Sequence, residues 1–159
     1  MPLIFTGYLC PANFTMQAPE EVYKNIIDNL IPLHPYLGIT LEKIEAGFAQ
    51  IRVAFRNELV GDPRIQAIHG GIIATAMDSV GGAAAMTTLT SFEDKVSTID
   101  MRVDYLRPGK PMDLIVEGEI VRSGNRIVVT RMVAYQEDKQ HLVAEGKAVY
   151  NVKRKNDKN

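Results

Sequence analysis

Apolar residues recur along this chain with two different periods. Val22, Ile26, Ile27 and Leu30 repeat at helical spacing. Pro19 suits a first helical position and Glu20 and Glu21 suit the positive end of a helix dipole, so a helix is expected over residues 19–31, ended by Pro32. Two strand-like runs follow, 37–44 and 48–55, separated by Glu45-Ala46-Gly47; in the second, Ile51, Val53 and Phe55 alternate with Gln50, Arg52 and Ala54. From Asn57 to Ala67 the periodicity is lost, and Gly61-Asp62-Pro63 marks a loop.

After His69-Gly70-Gly71 the pattern changes again. Ile72, Ile73, Ala74, Ala76, Met77, Val80, Ala83, Ala84, Ala85 and Met86 cover most of a helical wheel, which predicts a helix buried on most sides. Everything beyond Ser91 reads as strand. Ser97, Ile99, Met101, Val103 and Tyr105 alternate with Thr98, Asp100, Arg102 and Asp104; further strands are expected over 114–121, 127–135 and 142–152, with a hairpin turn at Ser123-Gly124-Asn125. Short turns between successive strands require antiparallel pairing, and a very apolar helix needs something to wrap it. A curled antiparallel sheet around a long central helix meets both conditions, so the fold class is α+β.

Length and composition bound this picture. With 159 residues there is room for one domain with one core, and 46% hydrophobic with 23% charged residues is ordinary for a globular chain. The single Cys10 cannot form an internal disulfide, which points to a reducing, cytoplasmic setting. The net charge is −1, and the segment 153–159 contributes +3 of it, leaving a body of about −4 that is unsuited to nucleic acid. That basic segment reads as a frayed tail on a domain covering 1–152. The apolar opening from Leu3 to Cys10 is broken by Gly7 and Pro11 and has no basic residues before it, so neither a signal peptide nor a membrane span is expected there.

Asp78 is an acid in an unusual place. It is the only ionisable side chain between His69 and Glu93, in the middle of the apolar helix. An uncompensated buried charge costs roughly several kcal/mol, so Asp78 either reaches a cleft or is paired, for example with Arg102 or Arg131 on a neighbouring strand. Gly70 and Gly71 leave the first N–H groups of the helix uncovered, a geometry suited to an oxyanion, although a tightly packed loop needs glycine too. His69 is either a satisfied loop histidine or part of the same site. His69 and Asp78 are nine residues apart, about 13.5 Å along a continuous helix. One carbonyl cannot touch both, so a shared reaction requires a second copy of the chain and at least a homodimer.

Other chemistry is poorly represented. Ser79 lies in Met77-Asp78-Ser79-Val80-Gly81, which lacks the first glycine of a nucleophile elbow. His34, His69 and His141 do not have metal-ligand spacing, and no phosphate-binding glycine loop is present, so neither metal nor cofactor is expected. His34 and His141 are expected at the surface; Met77 and Met86 serve as core filler or line an acyl channel.

Four segments together carry a resemblance: IHGGIIATAMD at 68–78, VSTIDMRVDYLRPG at 96–109, GNRIVVTRMVAY at 124–135 and VAEGKAVY at 143–150. They resemble the hotdog-fold acyl-CoA thioesterases of the PaaI type and, within them, are similar to the bacterial YigI-like medium- and long-chain enzymes, over about residues 21–152. The resemblance implies a sheet wrapped around a central helix, dimers that often pair into tetramers, and hydrolysis of a fatty acyl thioester to free acid and coenzyme A without a cofactor. It implies that His69, Gly70 and Gly71 polarise the thioester carbonyl, that Asp78 of the other subunit is general base or nucleophile, and that Thr98 helps to hold the attacking water. Relatives usually carry an asparagine six or seven residues before the histidine, where this chain has Pro63 and Asp62. A carboxylate at Asp62 would either oppose ionisation of Asp78 by repulsion or accept a hydrogen bond in place of the amide. Arg102, Arg107, Lys110 and the basic tail are candidates for the coenzyme A phosphates. A competing reading is a hotdog protein that binds acyl groups without hydrolysing them and so has no need of Asp78. A hydratase, with acid and histidine close together on one loop, fits the spacing less well.

Overall fold

The first helix is shorter than its apolar spacing suggests. In the computed structural model, which describes residue 16 and residues 18–155, helix α1 spans Glu20–Asn25 and then widens into a π turn over Ile26–Leu30. The apolar opening with Cys10 and the end of the basic tail lie outside the described residues. A second helix, α2 (Leu33–Leu37), follows in the stretch between the expected helix and the strand expected from Leu37 onward, and Gly38 ends it at φ +72°. Five residues cannot sustain a helix on propensity alone. His34 anchors it: the ring is buried, Nδ1 donates to the Ile27 carbonyl at 2.7 Å, and Nε2 accepts from the Ser79 hydroxyl at 2.9 Å. A carbonyl can only accept, which puts the proton on Nδ1 and leaves Nε2 as the acceptor. His34, expected at the surface, is therefore a buried tie between the N-terminal segment and the central helix.

The strands are β1 (Ile39–Glu45), β2 (Phe48–Val53), the short β3 (Val60–Asp62) and β4 (Ala67–Ile68), then, after helix α3 (Gly70–Met86), β5 (Lys95–Tyr105), β6 (Leu114–Ser123), β7 (Ile127–Tyr135) and β8 (Ala144–Lys153). Six of them form one antiparallel sheet in the order β1-β2-β6-β7-β8-β5, while β3 and β4 make a separate ribbon from the stretch that had lost its periodicity. Two- and three-residue strands are too short to display a period of two. The apolar run forms one continuous 17-residue helix whose contacts reach all six strands of the sheet, so the α+β wrapping expected from the pattern is what forms. Among the described residues no helix is long and apolar enough to cross a membrane.

Two glycines let helix and sheet approach closely. A Cβ on Gly118 of β6 would lie 3.0 Å from the Val80 carbonyl oxygen of α3, and one on Gly146 of β8 would lie 3.0 Å from the Met77 methyl and collide with the Arg102 carbonyl of β5. The sheet bends around the helix with bulges in β1, β5 and β6. The β5 bulge changes the reading of that strand. Thr98 pairs with Tyr150 and Asp100 with Val149, so Ile99 is the extra residue, 57% exposed. Val96 packs on the core before the bulge and Met101 and Val103 after it. The single alternating face seen in the sequence is thus two faces joined at Ile99, and Thr98 lies on the inner one.

The basic segment is anchored further than its composition suggests. Lys153 ends β8; Arg154 Nη1 donates to the Thr88 carbonyl at 2.9 Å and pairs with Asp94 at 3.2 Å; the Lys155 N–H donates to Asp94 Oδ1 at 2.9 Å. The fraying expected from 153 onward is corrected to this extent: the chain is held through 155. Asp94 is buried and also accepts from the N–H and hydroxyl of Thr90 and the N–H of Ser91. Burial alone would raise its pKa, but the hydrogen bonds from the Lys155 and Thr90 backbone, the Thr90 hydroxyl and Arg154 outweigh it and hold Asp94 well below the usual carboxylate range. A depressed pKa gives stability that is complete above the unfolded value of about 3.9 and is lost as pH falls toward the folded one. Asp94→Asn is expected to cost about 1.5–3 kcal/mol at neutral pH, measured by urea unfolding. The deficit should narrow when the titration is repeated below about pH 4; a deficit that stays constant with pH would contradict this account.

Candidate active site

Asp78 lies halfway along α3 on its one partly open stripe, with Gly71, Ala74, Thr75 and Gly82. Its partners are hydroxyls. Thr98 of β5 donates to Oδ1 at 2.8 Å, and the phenol of Tyr150 on β8 lies 2.9 Å from the Asp78 carbonyl oxygen and 3.3 Å from Oδ1. The structural pairing with arginine that the sequence left open does not occur: Arg102 is paired with Asp104 at 2.9 Å and Arg131 faces Glu145 at 3.9 Å. The acid of the apolar helix is thus held by neutral donors at a partly open face.

The loop before the helix is built around His69. His69 is the N-cap of α3, and its Nδ1 accepts the Gly71 N–H at 2.9 Å. Backbone N–H groups only donate, so the neutral ring carries its proton on Nε2, which faces outward as a donor. The Ile72 and Ile73 N–H groups go to the His69 carbonyl. This divides the glycine pair expected to act together. Gly71 N–H caps the helix through His69, and Gly70 N–H is the helix-start donor with no acceptor among the described residues. Tyr105 closes over this end, its hydroxyl donating to the Gly70 carbonyl at 2.9 Å. Gly61 of β3 lies directly against the histidine: a Cβ there would be 2.7 Å from His69 Cα and 2.9 Å from its Cβ.

The remaining candidates are placed as follows. Asp62 is occupied by Arg64, whose Nη2 lies 2.7 Å from Oδ2 and whose Nε and N–H each donate to Oδ1 at 3.0 Å. The Arg64 side chain, and then its backbone N–H, hold Asp62 below the usual carboxylate range. Arg64 thus takes both oxygens of Asp62 in this chain. Met77 is fully buried in the core and touches the sheet near Gly146, so it is core packing rather than the lining of an open channel. Arg107 donates to the Leu142 carbonyl at 3.0 Å, and Lys110 pairs with Glu137 at 3.2 Å, both at the surface. Among the described residues no three His, Cys, Asp or Glu side chains come together as metal ligands.

Tyr150, Gly61 and Tyr105 escaped the sequence reading. Tyr150 is 72 residues from Asp78, beyond any local spacing rule. It carries one usable signal, a large polar-tipped side chain on a strand whose other inward positions are Ala144, Gly146, Ala148 and Val152.

Comparison with known proteins fits this geometry. A family model described as the thioesterase superfamily matches residues 66–143, from the turn before β4 to the loop before β8. The medium/long-chain acyl-CoA thioesterase YigI of Salmonella typhimurium is 36% identical over 136 residues, 77% of this chain and 86% of that protein. YigI of Escherichia coli K12 is 35% identical over the same shares. Among solved structures, a thioesterase-superfamily-related protein of Shewanella oneidensis superposes with a TM-score of 0.73 at 30% identity, covering 82% of this chain and 93% of that one. The Escherichia coli PaaI protein from the phenylacetic acid degradation operon superposes with a TM-score of 0.67 at 18% identity over 76% and 83%, a likeness of fold. The architecture is the hotdog fold, and the chain belongs to the thioesterase superfamily.

The packing of Gly61 on His69 gives a direct test. Gly61→Ala forces the β3 backbone away from His69 and is expected to destabilise the protein by about 1–3 kcal/mol in thermal unfolding, the usual range for overpacking. Unchanged stability would mean that β3 does not hold the histidine.

Proposed function

We propose that this thioester hydrolase acts on medium- to long-chain acyl-CoA, releasing free fatty acid and coenzyme A, and works as at least a homodimer with Asp78 as general base. The observation that carries the reading is Asp78 itself, a half-buried carboxylate on a largely apolar helix, bonded to hydroxyls and, among the described residues, to no cation. The names of the YigI relatives support the substrate class.

Pairing of two copies is supported by geometry. α3 is continuous, so nine residues still separate the His69 end from Asp78, about 13.5 Å. Beside Asp78 runs β5, an 11-residue edge strand exposed over residues 97–100, with Ile99 57% and Tyr105 54% exposed. A long edge with apolar side chains invites a partner strand. In this reading the acyl carbonyl sits at the helix start of one copy, near Gly70 N–H and His69 Nε2–H, and faces Asp78 of the other.

The chemistry then balances. Asp78 takes a proton from water as the oxygen attacks the thioester carbon, and the carbonyl π pair moves onto oxygen, where Gly70 N–H and His69 Nε2–H stabilise it. One such donor is worth about two to three orders of magnitude in rate. The oxyanion collapses, the C–S bond breaks, and the proton held by Asp78 passes to the departing thiolate. Thr98, bonded to Oδ1, orients the carboxylate.

Asp78→Asn is isosteric and is expected to lower thiol release from acetyl-, octanoyl- and palmitoyl-CoA by about 10²–10⁴-fold. The circular dichroism spectrum and the two-chain mass in solution should be unchanged. Wild-type hydrolysis by that variant would remove Asp78 from the mechanism and overturn the reading.

A further inference from the structure

On β8 the inward positions before Tyr150 are the small residues Ala144, Gly146 and Ala148, and Tyr150 itself is 1% exposed. Its phenol passes alongside α3 at a point where the helix has no side chain to obstruct it. A Cβ on Gly81 would collide with the hydroxyl and lie 2.7 Å from Met132 Sδ and 2.9 Å from Thr130 Oγ1. The hydroxyl ends 2.9 Å from the Asp78 carbonyl oxygen and 3.3 Å from Oδ1. The Asp78 carbonyl sits mid-helix, where the backbone ladder of α3 already supplies it with an N–H donor four residues on. A phenol is therefore not required to satisfy that carbonyl. The phenol has one proton to share between that carbonyl and Oδ1, and what it adds at this place is a second hydroxyl within reach of the carboxylate.

Thr98 and Tyr150 are cross-strand partners on β5 and β8, and both reach Oδ1. That convergence depends on the bulge at Ile99, which turns Thr98 to the inner face, and on Gly81, which admits the phenol. With two hydroxyls on Oδ1, Oδ2 has no hydrogen-bond donor among the described residues. An oxygen that accepts two hydrogen bonds is the weaker base of the pair.

We infer that Tyr150 is a positioning residue for Asp78, fixing Oδ1 together with Thr98 so that Oδ2 is the oxygen presented to water. The inference rests on the reading of Asp78 as general base. Burial, and after it the Asp78 carboxylate, push the phenol of Tyr150 above its ordinary range, so it stays a protonated donor throughout the working pH range.

Tyr150→Phe keeps the buried ring and removes only the hydroxyl. The expected result is a fall in kcat of about 10- to 100-fold, the scale of a misplaced catalytic group, with KM little changed. The acid limb of the pH–rate profile should move to higher pH, since the carboxylate has lost a donor to its charged form. The melting temperature should fall by no more than about 4 °C, as for one lost hydrogen bond in a domain of this size. Merely structural damage would instead lower the melting temperature and leave the acid limb in place. Asp78→Asn, assayed alongside, separates the two claims. Lost turnover in Asp78→Asn with unchanged kcat and acid limb in Tyr150→Phe overturns the role of Tyr150 alone. Wild-type turnover in Asp78→Asn overturns both.

Discussion

A 17-residue helix made mostly of glycine, alanine and aliphatic side chains gains little from water except on the stripe that carries Asp78, and the rest of the molecule follows from surrounding it. Six antiparallel strands contribute their inner faces, and residues such as Ile51, Leu114, Val128 and Met132 close on Ala76, Met77, Val80 and Ala84. Small residues set the distance. Gly118 and Gly146 bring the sheet close to the helix, and Gly81 lets a tyrosine lie against it. Close-packed interiors leave little slack for added atoms, so these positions act as fixed spacers.

Within that apolar enclosure the Asp78 carboxylate is retained, and among the described residues no cation pairs with it. Thr98 and Tyr150 supply hydroxyls from adjacent strands. Neutral donors satisfy a carboxylate oxygen without neutralising the group, which an arginine at the same place would do. The contrast with Asp94 is instructive. That carboxylate is enclosed by backbone N–H groups and Arg154 and serves as a clasp between the end of α3 and the end of β8. Asp78 and Asp94 are both acids near the central helix, and the number and charge of their donors separate a candidate base from a structural anchor.

The helix start is organised by a similar economy of donors. His69 uses one ring nitrogen to cap Gly71 and keeps the other as an outward N–H. His34 is held in the opposite tautomer, with its proton on Nδ1 and the Ser79 hydroxyl at Nε2, and stays buried. Each histidine adopts the tautomer its neighbours dictate. The second also joins α2 to the residue that follows Asp78, which connects the N-terminal segment to the same helix.

The α+β class, the wrapped helix, the strands after Ser91 and the exceptional position of Asp78 were all determined by the order of residues, because burial imposes periods of 3.6 and 2 that local sequence can record. The resemblance of four short segments carried the family as well. Where the pattern misled, the deciding contact was distant. Residues 33–37 form a helix because His34 finds partners at Ile27 and Ser79; strand β5 changes face at Ile99, so Thr98 meets Asp78; and Tyr150 reaches the acid from 72 residues away. A bulge adds one residue to a strand with no change in its alternation of polar and apolar letters, and a hydrogen bond between distant residues leaves no period at all. Which oxygen of Asp78 is held and which is left open was therefore decided only when the sheet closed on the helix.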